Sequence, residues 1–343
     1  METILVTGGC GYIGSHVSAY LLSNGFNVLI IDSLVNSDEN TIVKLRKIAE
    51  SQGVKSKEKL SFKKGDLKNR KFLDQIFNEY EKESRPIKSV IHLAGLKSIS
   101  SSIKQPLDYW DINISTTLSL LSSMKKFNCF SIVFSSSASV YKPSMQNLLK
   151  ESDELSPTNP YGNSKLTIEK ILNDLSLFDK AKWRIASLRY FNPAGSHPSG
   201  LLEESPKGEP LNLFPILNRV IKKEKKDFFI FGKDWPTHDG TCIRDFIHVM
   251  DLAEAHIAAL NYIISNKPKF IAFNIGTGLG TSILDLIKTF KKINIDIPFK
   301  FLNKREGDEP FVVADNSLAL SLLKWKPQRS LTDICKDSIN FKI

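Results

Sequence analysis

A tyrosine and a lysine four residues apart are the residues in this chain best suited to do chemistry. They are Tyr161 and Lys165, in the run Y-G-N-S-K. On a helix, residues i and i+4 lie on the same face, about one turn apart. An ammonium ion beside a phenol favours the phenolate, so the spacing predicts that Lys165 lowers the pKa of Tyr161. Such a pair could take a proton from an alcohol.

Three consecutive serines support this interpretation of the tyrosine and lysine. The cluster ends at Ser137 and follows the apolar run Ser131–Phe134, which predicts a strand. A lone Y-x-x-x-K occurs by chance in many proteins, where it marks a solvated helix face. A hydroxyl cluster at the end of a strand makes an active site the better interpretation here.

The N-terminal sequence predicts the structural unit that must position these residues. Residues 2–6 read as a short apolar strand, which runs into T-G-G-C-G-Y-I-G with Gly8, Gly11 and Gly14. A helical pattern follows, and then a second strand that ends in Asp32. Strand, glycine turn, helix, strand and acid together form the dinucleotide-binding unit.

Each residue of this unit has a physical role. Gly8 permits the tight turn, Gly11 lets a pyrophosphate approach the backbone, and Gly14 lets the helix pack on the strand. The helix N-terminus offers free N–H groups and a partial positive charge to the phosphates. Asp32 can accept hydrogen bonds from the ribose hydroxyls and would repel a 2′-phosphate, so NAD is favoured over NADP.

Composition narrows the class of protein. The 343 residues are 41% hydrophobic and 24% charged, which is ordinary for a globular protein. No apolar run approaches the ~18 residues of a membrane span, and no cleavable leader is expected, because residues 2–6 already form a strand. The four cysteines are scattered without a C-x-x-C pair, which predicts a reduced, cytoplasmic protein without a metal site.

Alternating strands and helices continue to about residue 190 and predict an α/β fold with a doubly wound parallel sheet. Ligands of such sheets collect at the carboxyl ends of the strands. Several candidate residues fall at such ends: Asp32, Asp66, Ala94, Gly95 and Ser137. After residue 190, loops rich in Pro and Gly predict a smaller C-terminal substrate lobe. The expected domains are 1–190 and 191–343, with part of 240–260 packing back on the first.

The motifs resemble the extended short-chain dehydrogenase/reductase family, whose nucleotide-binding domain has the Rossmann fold, and within it the enzymes that epimerise UDP-sugars at carbon 4. The resemblance runs over nearly the whole chain. It rests on T-G-G-C-G-Y-I-G-S-H, D-S-L-V-N-S, H-L-A-G-L-K, F-S-S-S-A-S-V-Y, Y-G-N-S-K, L-R-Y-F-N-P-A-G-S-H-P-S-G-L, G-T-C-I-R-D-F-I-H-V-M-D-L-A and R-E-G-D. The glycine motif alone is general, whereas A-G-L-K, Y-F-N-P-A-G and R-D-F-I-H-V together are much more specific.

The resemblance implies a role for each matching residue. Tyr161 would be the acid/base at the sugar 4-hydroxyl, Ser137 would hydrogen-bond the same oxygen, and Lys165 would hold the nicotinamide ribose. The implied cofactor contacts are Gly8, Gly11, Tyr12, Ile13, Gly14, Asp32, Asn36, Ser37, Asp66, Leu67, Leu93, Ala94, Gly95, Lys97, Asn113, Lys165 and Tyr190. The implied substrate contacts are Lys97, Ser137, Tyr161, Asn192, Asn212, Leu213, Phe231, Arg244, Arg305, Asp308 and Val312.

The same resemblance implies a reaction and partners. The chain would interconvert UDP-glucose and UDP-galactose through a 4-keto sugar that turns over in the site, with NAD tightly bound and regenerated. Arg244 and Arg305 would grip the pyrophosphate, since a guanidinium can bind it bidentately. A homodimer is the expected assembly, and no nucleic acid, membrane or metal is expected.

Two other functions stay open at this point. A sugar-nucleotide 4,6-dehydratase or decarboxylase is similar, but a dehydratase places an acidic pair after the serine strand, where this chain has Ser137, Ala138 and Ser139. A Rossmann protein that binds RNA is the other alternative, because the net charge is +10. Its lysines, however, are spread along the chain. The preferred sugar also stays open among glucose and galactose, their N-acetyl forms and pentoses; a small Val312 in place of a tyrosine leaves room for an N-acetyl form, so UDP-N-acetylglucosamine is expected to be accepted as well as UDP-glucose.

Overall fold

The computed structural model describes residues 2–143, 148–305 and 307–339. The strands, in chain order, are β1 (Thr3–Thr7), β2 (Asn27–Asp32), β3 (Leu60–Lys64), β4 (Ile87–His92), β5 (Ser131–Ser137), β6 (Arg184–Tyr190), β7 (Asn192–Ala194), β8 (Phe228–Phe231), β9 (Ile243–His248), β10 (Phe270–Ile275), β11 (Gly280–Ser282), β12 (Phe299–Leu302) and β13 (Phe311–Val312). The helices are α1 (Tyr12–Ser23), α2 (Asn40–Ser51), α3 (Ser56–Lys59), α4 (Arg70–Lys82), α5 (Ile99–Lys104), α6 (Pro106–Lys126), α7 (Pro160–Phe178), α8 (Leu213–Ile221), α9 (Val249–Ser265), α10 (Ile283–Lys292), α11 (Ser317–Leu323) and α12 (Leu331–Ile339).

A seven-stranded sheet forms the larger domain, in the order β10-β6-β5-β4-β1-β2-β3. All its strand pairs are parallel. β1, β2 and β6 are almost entirely buried, as expected for strands covered by helices on both faces. The α/β class with a doubly wound parallel sheet is thereby confirmed.

Two apolar cores lie on the two faces of this sheet. One joins the sheet to α1, α2 and α9, and the other joins it to α4, α6 and α7. Two-sided burial explains why the strands read as continuous apolar runs and not as alternating ones. It also leaves the carboxyl ends of the strands as the edge where polar ligands can bind.

The expected domain boundary at residue 190 needs a correction. Helix α9 packs against α1, and β10 adds the last strand to the sheet beside β6. Both elements bury apolar side chains in the core shared with the N-terminal helices. The segment that returns to the first domain is therefore longer than 240–260, since it reaches Ile275.

The smaller lobe is built around β9, which pairs with β7, β11 and β13. Strands β8 and β12 form a separate parallel pair. Helices α8, α10 and α12 supply most of the lobe's own apolar core. Of the helices in the described part of the chain, none has the length and apolar character to cross a membrane.

Candidate active site

The predicted acid–base residues meet where α7 begins. Lys165 Nζ lies 5.9 Å from the centroid of the Tyr161 ring, and both side chains are buried. Ser137 is the last residue of β5; its hydroxyl donates to the Ser139 hydroxyl at 3.1 Å and lies near enough to the Tyr161 phenol to lower its pKa. Lys165 Nζ donates to the Ser135 carbonyl oxygen over 2.7 Å. The expected grouping of Ser137, Tyr161 and Lys165 is thus present in the fold.

The start of α7 is fixed by its local sequence. Asn159 caps the helix by accepting a hydrogen bond from the Gly162 N–H at 2.9 Å, and Pro160 occupies the first turn. A Cβ on Gly162 would lie 2.3 Å from the Ser139 carbonyl oxygen. Only glycine therefore lets this turn of α7 approach the serine segment closely enough for Tyr161 to reach Ser137.

The predicted lowering of the tyrosine pKa is not found. Burial raises the pKa of Tyr161 to about 12, and the nearby Ser137 hydroxyl offsets only part of this rise. Burial also lowers the pKa of Lys165 to about 8. Desolvation penalises both charged forms, and in this site it outweighs the attraction between ammonium and phenolate.

The glycine turn is as tight as the sequence predicts. Gly8 has a φ of +68°, and a Cβ there would lie 2.8 Å from the Ala94 backbone nitrogen. A Cβ on Gly14 would lie 2.2 Å from the Gly8 carbonyl oxygen. Gly11 is the N-cap of α1 and supplies no side-chain cap. The first N–H groups of α1 therefore face a cradle that suits a pyrophosphate.

Asp32 stands at the end of β2 and has a second role that the motif alone does not reveal. Its Oδ2 accepts from the Cys10 N–H at 3.0 Å, and its Oδ1 accepts from the Leu34 N–H and the Ser37 hydroxyl at 2.9 and 2.8 Å. A carboxylate has about four acceptor positions, which leaves one for a ribose hydroxyl. Asp32 thus fits a dinucleotide and also fixes the glycine turn to β2.

The loop after β4 connects this cradle to Lys165, the lysine that the sequence predicts to be catalytic. Gly95 has a φ of +154°, and a Cβ there would lie 2.9 Å from Asn113 Oδ1 and 4.0 Å from Lys165 Nζ. The Asn113 side chain is buried and holds the Leu96 backbone, accepting from its N–H at 2.7 Å and donating to its oxygen at 3.2 Å. The predicted cofactor residues of this loop and of α6 therefore lie beside the catalytic group.

The remaining predicted cofactor residues line the same edge of the sheet. They are Tyr12 and Ile13 on α1, Asn36 and Ser37 after β2, Asp66 and Leu67 after β3, Leu93 and Ala94 after β4, and Tyr190 at the end of β6. The glycine turn follows β1, which lies inside the sheet. The other residues therefore extend from it in two directions, towards β2 and β3 on one side and towards β4 and β6 on the other. An extended dinucleotide needs this arrangement.

Several predicted substrate residues come together in the smaller lobe. The Arg305 guanidinium lies 4.1 Å above the Phe231 ring, and Arg305 Nε donates to Asp308 Oδ2 at 3.0 Å. Arg244 lies beside Val312 in the pairing of β9 with β13, and its Nη1 donates to the Glu309 carbonyl oxygen at 2.7 Å. Glu306 of the R-E-G-D motif lies outside the described residues.

Glu204 is a residue of the site that the sequence did not single out. Its Oε1 accepts from Lys97 Nζ at 2.7 Å and from Asn212 Nδ2 at 2.5 Å. Lys97 belongs to the first domain, whereas Asn212 stands at the N-cap position of α8 in the smaller lobe without a side-chain capping bond, and Leu213 follows it. The carboxylate therefore joins two predicted substrate residues across the domains. Its only signal in the sequence is its place in a loop rich in Pro and Gly.

Asn192 lies somewhat apart from this group. It begins β7 and pairs with Phe246 of β9, on the path that leads from the sheet to the smaller lobe. The predicted site residues thus form four groups, with Asn192 apart: the dinucleotide cradle, the predicted catalytic group, the arginine group of the smaller lobe, and Lys97 with Asn212 and Leu213 beside Glu204.

Comparison with known proteins identifies a family model that matches this chain. Residues 4–276 match the model described as "NAD dependent epimerase/dehydratase family". The matched range runs from β1 to the residue after β10, and so contains the glycine turn and the catalytic group.

Individual relatives extend this similarity to the C-terminus. The bifunctional protein GAL10 of Pachysolen tannophilus is 42% identical, with 99% of this chain and 49% of the relative covered. The chain therefore spans about half the length of that relative. A UDP-glucose 4-epimerase of Bacillus subtilis is 41% identical, with 98% and 95% covered. A crystal structure of UDP-glucose 4-epimerase from Stenotrophomonas maltophila, with bound NAD and formylated UDP-arabinopyranose, has a TM-score of 0.93 and 39% identity, covering 99% and 98%.

Proposed function

The chain belongs to the NAD dependent epimerase/dehydratase family, and we infer that it is an NAD-dependent UDP-glucose 4-epimerase, an isomerase that interconverts UDP-glucose and UDP-galactose. One observation carries the proposal: the buried Tyr161 and Lys165 lie with the partly buried Ser137 directly beside the loop that closes the dinucleotide cradle. A binding protein would have no need of a buried phenol and ammonium beside a serine hydroxyl at that point.

The residues that would hold NAD fit it. The cradle formed by Gly8 and Gly14 has no space for a Cβ, and the N-terminus of α1 has no side-chain cap. Asp32 keeps an acceptor position for a ribose hydroxyl and would repel a 2′-phosphate. When bound, NAD would supply the hydride acceptor and return the hydride, so it would not enter the net reaction.

The protein residues would carry out the acid–base catalysis and bind the pyrophosphate of the substrate. Tyr161 takes the proton from the sugar 4-hydroxyl as a phenolate, so the proton that burial holds on the free phenol must leave first, while the Ser137 hydroxyl hydrogen-bonds the same sugar oxygen. Arg244 and Arg305 grip the pyrophosphate; among the described residues Arg244 donates to protein oxygens through Nη1 and Arg305 through Nε, and a guanidinium has five donors with which it can also bind phosphate. An anchored nucleotide leaves the 4-keto hexose free to turn over and receive the proton and hydride on its other face.

Turnover without added cofactor tests this function. We expect the purified chain to convert UDP-glucose into UDP-galactose with no NAD in the buffer, products being separated by chromatography. Acid denaturation should release about one NAD(H) per chain, because the cofactor is regenerated in each cycle. A preparation that gains activity only with NADP, or that retains RNA in a salt-dependent way and turns over no UDP-sugar, contradicts the proposal.

The sugar range depends on the wall that Val312 forms. Val312 packs on the cluster that contains Val140 and Tyr141, just after the serine segment. We expect the chain to accept UDP-N-acetylglucosamine as well as UDP-glucose. Val312→Tyr should fill the space and lower kcat/KM for the N-acetyl sugar by at least about 10-fold relative to UDP-glucose.

The control for this variant is Phe311→Tyr. Neighbouring residues of a strand point to opposite sides, so a change at Phe311 should leave the sugar preference unaltered. Steady-state kinetics with both sugars give the ratio directly. If Val312→Tyr leaves the ratio at the wild-type value, Val312 does not line the hexose site.

We also propose a homodimer that forms through α6 and α7. The two helices pack against each other and carry exposed apolar side chains, among them Leu107, Trp110, Leu118 and Phe178. Light scattering on the purified chain would give a mass of about twice 38.6 kDa. A cytoplasmic location is proposed because the four cysteines are free and buried.

A further inference from the structure

A buried carboxylate lies one helical turn beyond the catalytic lysine. Glu169 follows Lys165 by four residues on α7 and is 3% exposed. Its Oε1 accepts from the Ser136 hydroxyl at 2.6 Å and from the Ser187 hydroxyl at 2.9 Å. Arg189 donates to both carboxylate oxygens, through Nε at 3.1 Å and Nη2 at 2.7 Å. Glu169 thus ties α7 to β5 and β6 at the level of the active site.

The other side of Arg189 is also fully engaged. Its Nη1 donates to the Tyr141 hydroxyl at 2.9 Å, and its guanidinium lies 5.0 Å from the centroid of the Tyr141 ring. The Tyr141 hydroxyl in turn donates to Asn274 Oδ1 on β10 at 2.6 Å. The network therefore runs under the serine segment from α7 to the edge of the sheet. Because every link is buried, loss of one partner would leave a polar group or charge unpaired.

We propose that Glu169 is a positioning residue for the reaction: its carboxylate holds the end of β5 against α7 and keeps the Lys165 ammonium charged beside Tyr161. The inference rests on the proposed function, because it assigns Lys165 a role in that reaction. Ser136, which Glu169 binds, immediately precedes Ser137, so a shift of this contact would move the catalytic hydroxyl.

The surroundings of Lys165 explain why a carboxylate is needed. The Lys165 ammonium lies 5.9 Å from the centroid of the Tyr161 ring on the same helix and acts on His92 of β4, while Tyr190 of β6 lies in register with Ser137. Burial raises the pKa of both tyrosines and lowers that of His92, with help from the Lys165 charge, to about 3, so these three groups are neutral near pH 7. None of them can stabilise an ammonium as an anion would.

Glu169 supplies that anion. Burial lowers the pKa of Lys165 to about 8, and the Glu169 carboxylate acts against this fall. Arg189 carries the opposite charge and directs its Nη1 to Tyr141, whereas Glu169 is the charged group that raises the pKa of Lys165. Removing the Glu169 charge should therefore lower the pKa of Lys165, so that the lysine loses its proton at a lower pH.

The alternative is that the ion pair of Glu169 and Arg189 has a purely structural role. Buried ion pairs often contribute little to stability, yet breaking one is strongly destabilising because a lone charge remains. The test therefore uses Glu169→Gln, which keeps an acceptor oxygen for the serines, and Glu169→Gln/Arg189→Met, which leaves no unpaired charge. The control is Asp251→Asn/Arg329→Met, since the buried Asp251 and the partly exposed Arg329 form an ion pair between α9 and the segment before α12.

The readouts are the pH profile of kcat and the titration of Lys165 itself. Wild type and variants are loaded with NAD and assayed on UDP-glucose from pH 6 to 10, and thermal unfolding and bound NAD are measured on each. NMR of chains labelled at lysine Cε follows the Lys165 signal, identified by its loss in Lys165→Arg. This second readout does not depend on turnover.

As the pH rises, we expect both Glu169 variants to lose activity at a pH about one unit lower than wild type does. The pKa measured from the Lys165 NMR signal should fall by a similar amount. The control double variant Asp251→Asn/Arg329→Met should have a lower unfolding temperature. Its pH profile of kcat and its Lys165 titration curve should both coincide with those of wild type. Coincident wild-type and variant curves in folded, NAD-loaded protein would overturn the inference. If wild type turns over no UDP-sugar, the proposed function fails, and the NMR titration still decides whether Glu169 sets the charge of Lys165.

Discussion

Tyr161→Phe is expected to lower turnover of UDP-glucose by at least ~100-fold, the usual contribution of a general acid–base. The substitution removes the phenolic hydroxyl that meets Ser137 and keeps the ring, which lies 5.9 Å from Lys165 Nζ. Since the buried ring still fills its place, the fold and the bound cofactor should be retained. Turnover is measured by chromatography, and bound NAD by acid release.

Tyr109→Phe is the matched control for this variant. Tyr109 is also buried and packs edge-on against Tyr161, with ring centroids 6.4 Å apart. Its hydroxyl accepts a hydrogen bond from the Ser98 N–H at 3.0 Å, away from the catalytic group. Loss of that hydroxyl should change turnover by less than tenfold. A Tyr161→Phe chain that turns over as fast as the control would show that another residue is the acid/base.

The sequence predicted the parts of this site that depend on short spacings. Gly8, Gly11, Gly14 and Asp32 lie within one strand–helix–strand unit, whose geometry is fixed by local sterics, so their arrangement follows from their order. The same holds for the catalytic pair, because four residues on a helix make one turn.

Contacts between distant segments could not be predicted in this way. Glu204 meets Lys97 across 107 positions of the chain, and an acidic residue in a loop carries no periodic signal. Strand β10 pairs with β6 in the sheet although the two strands are far apart in the sequence. Only the burial of the apolar face of β10 on α9 and α11 reveals this pairing. Long-range packing, and not local propensity, decides such contacts.

The pKa shifts of the site also could not be predicted from the sequence. The Tyr161–Lys165 spacing predicts attraction, but the sign of the pKa shift depends on how much water the fold excludes. Both side chains are buried, so the penalty on charge exceeds the attraction. Glu169 enters this balance from the next turn of the same helix, and its importance shows only once its partners Ser136 and Arg189 are known.

Gly14→Ala is expected to abolish the function by a different route, the loss of the cofactor cradle. The added Cβ would lie 2.2 Å from the Gly8 carbonyl oxygen and 2.7 Å from Gly9 Cα. These are backbone atoms, so no flexible side chain can move aside, and α1 must shift away from the turn. Overpacking of this kind costs about 1–3 kcal/mol. A displacement of ~1 Å at a positioning element can by itself cost ~10²-fold in rate.

The variant should therefore purify with little NAD and turn over UDP-glucose at less than about a hundredth of the wild-type rate. Gly53→Ala is the control that separates cofactor loss from instability. Gly53 has a φ of +76°, so alanine is strained there, but a Cβ would meet nothing within 4 Å. That change should cost about 1 kcal/mol of unfolding free energy and leave NAD and turnover intact. If Gly14→Ala retains about one NAD per chain and normal turnover, the close approach of α1 to the glycine turn is not what holds the cofactor.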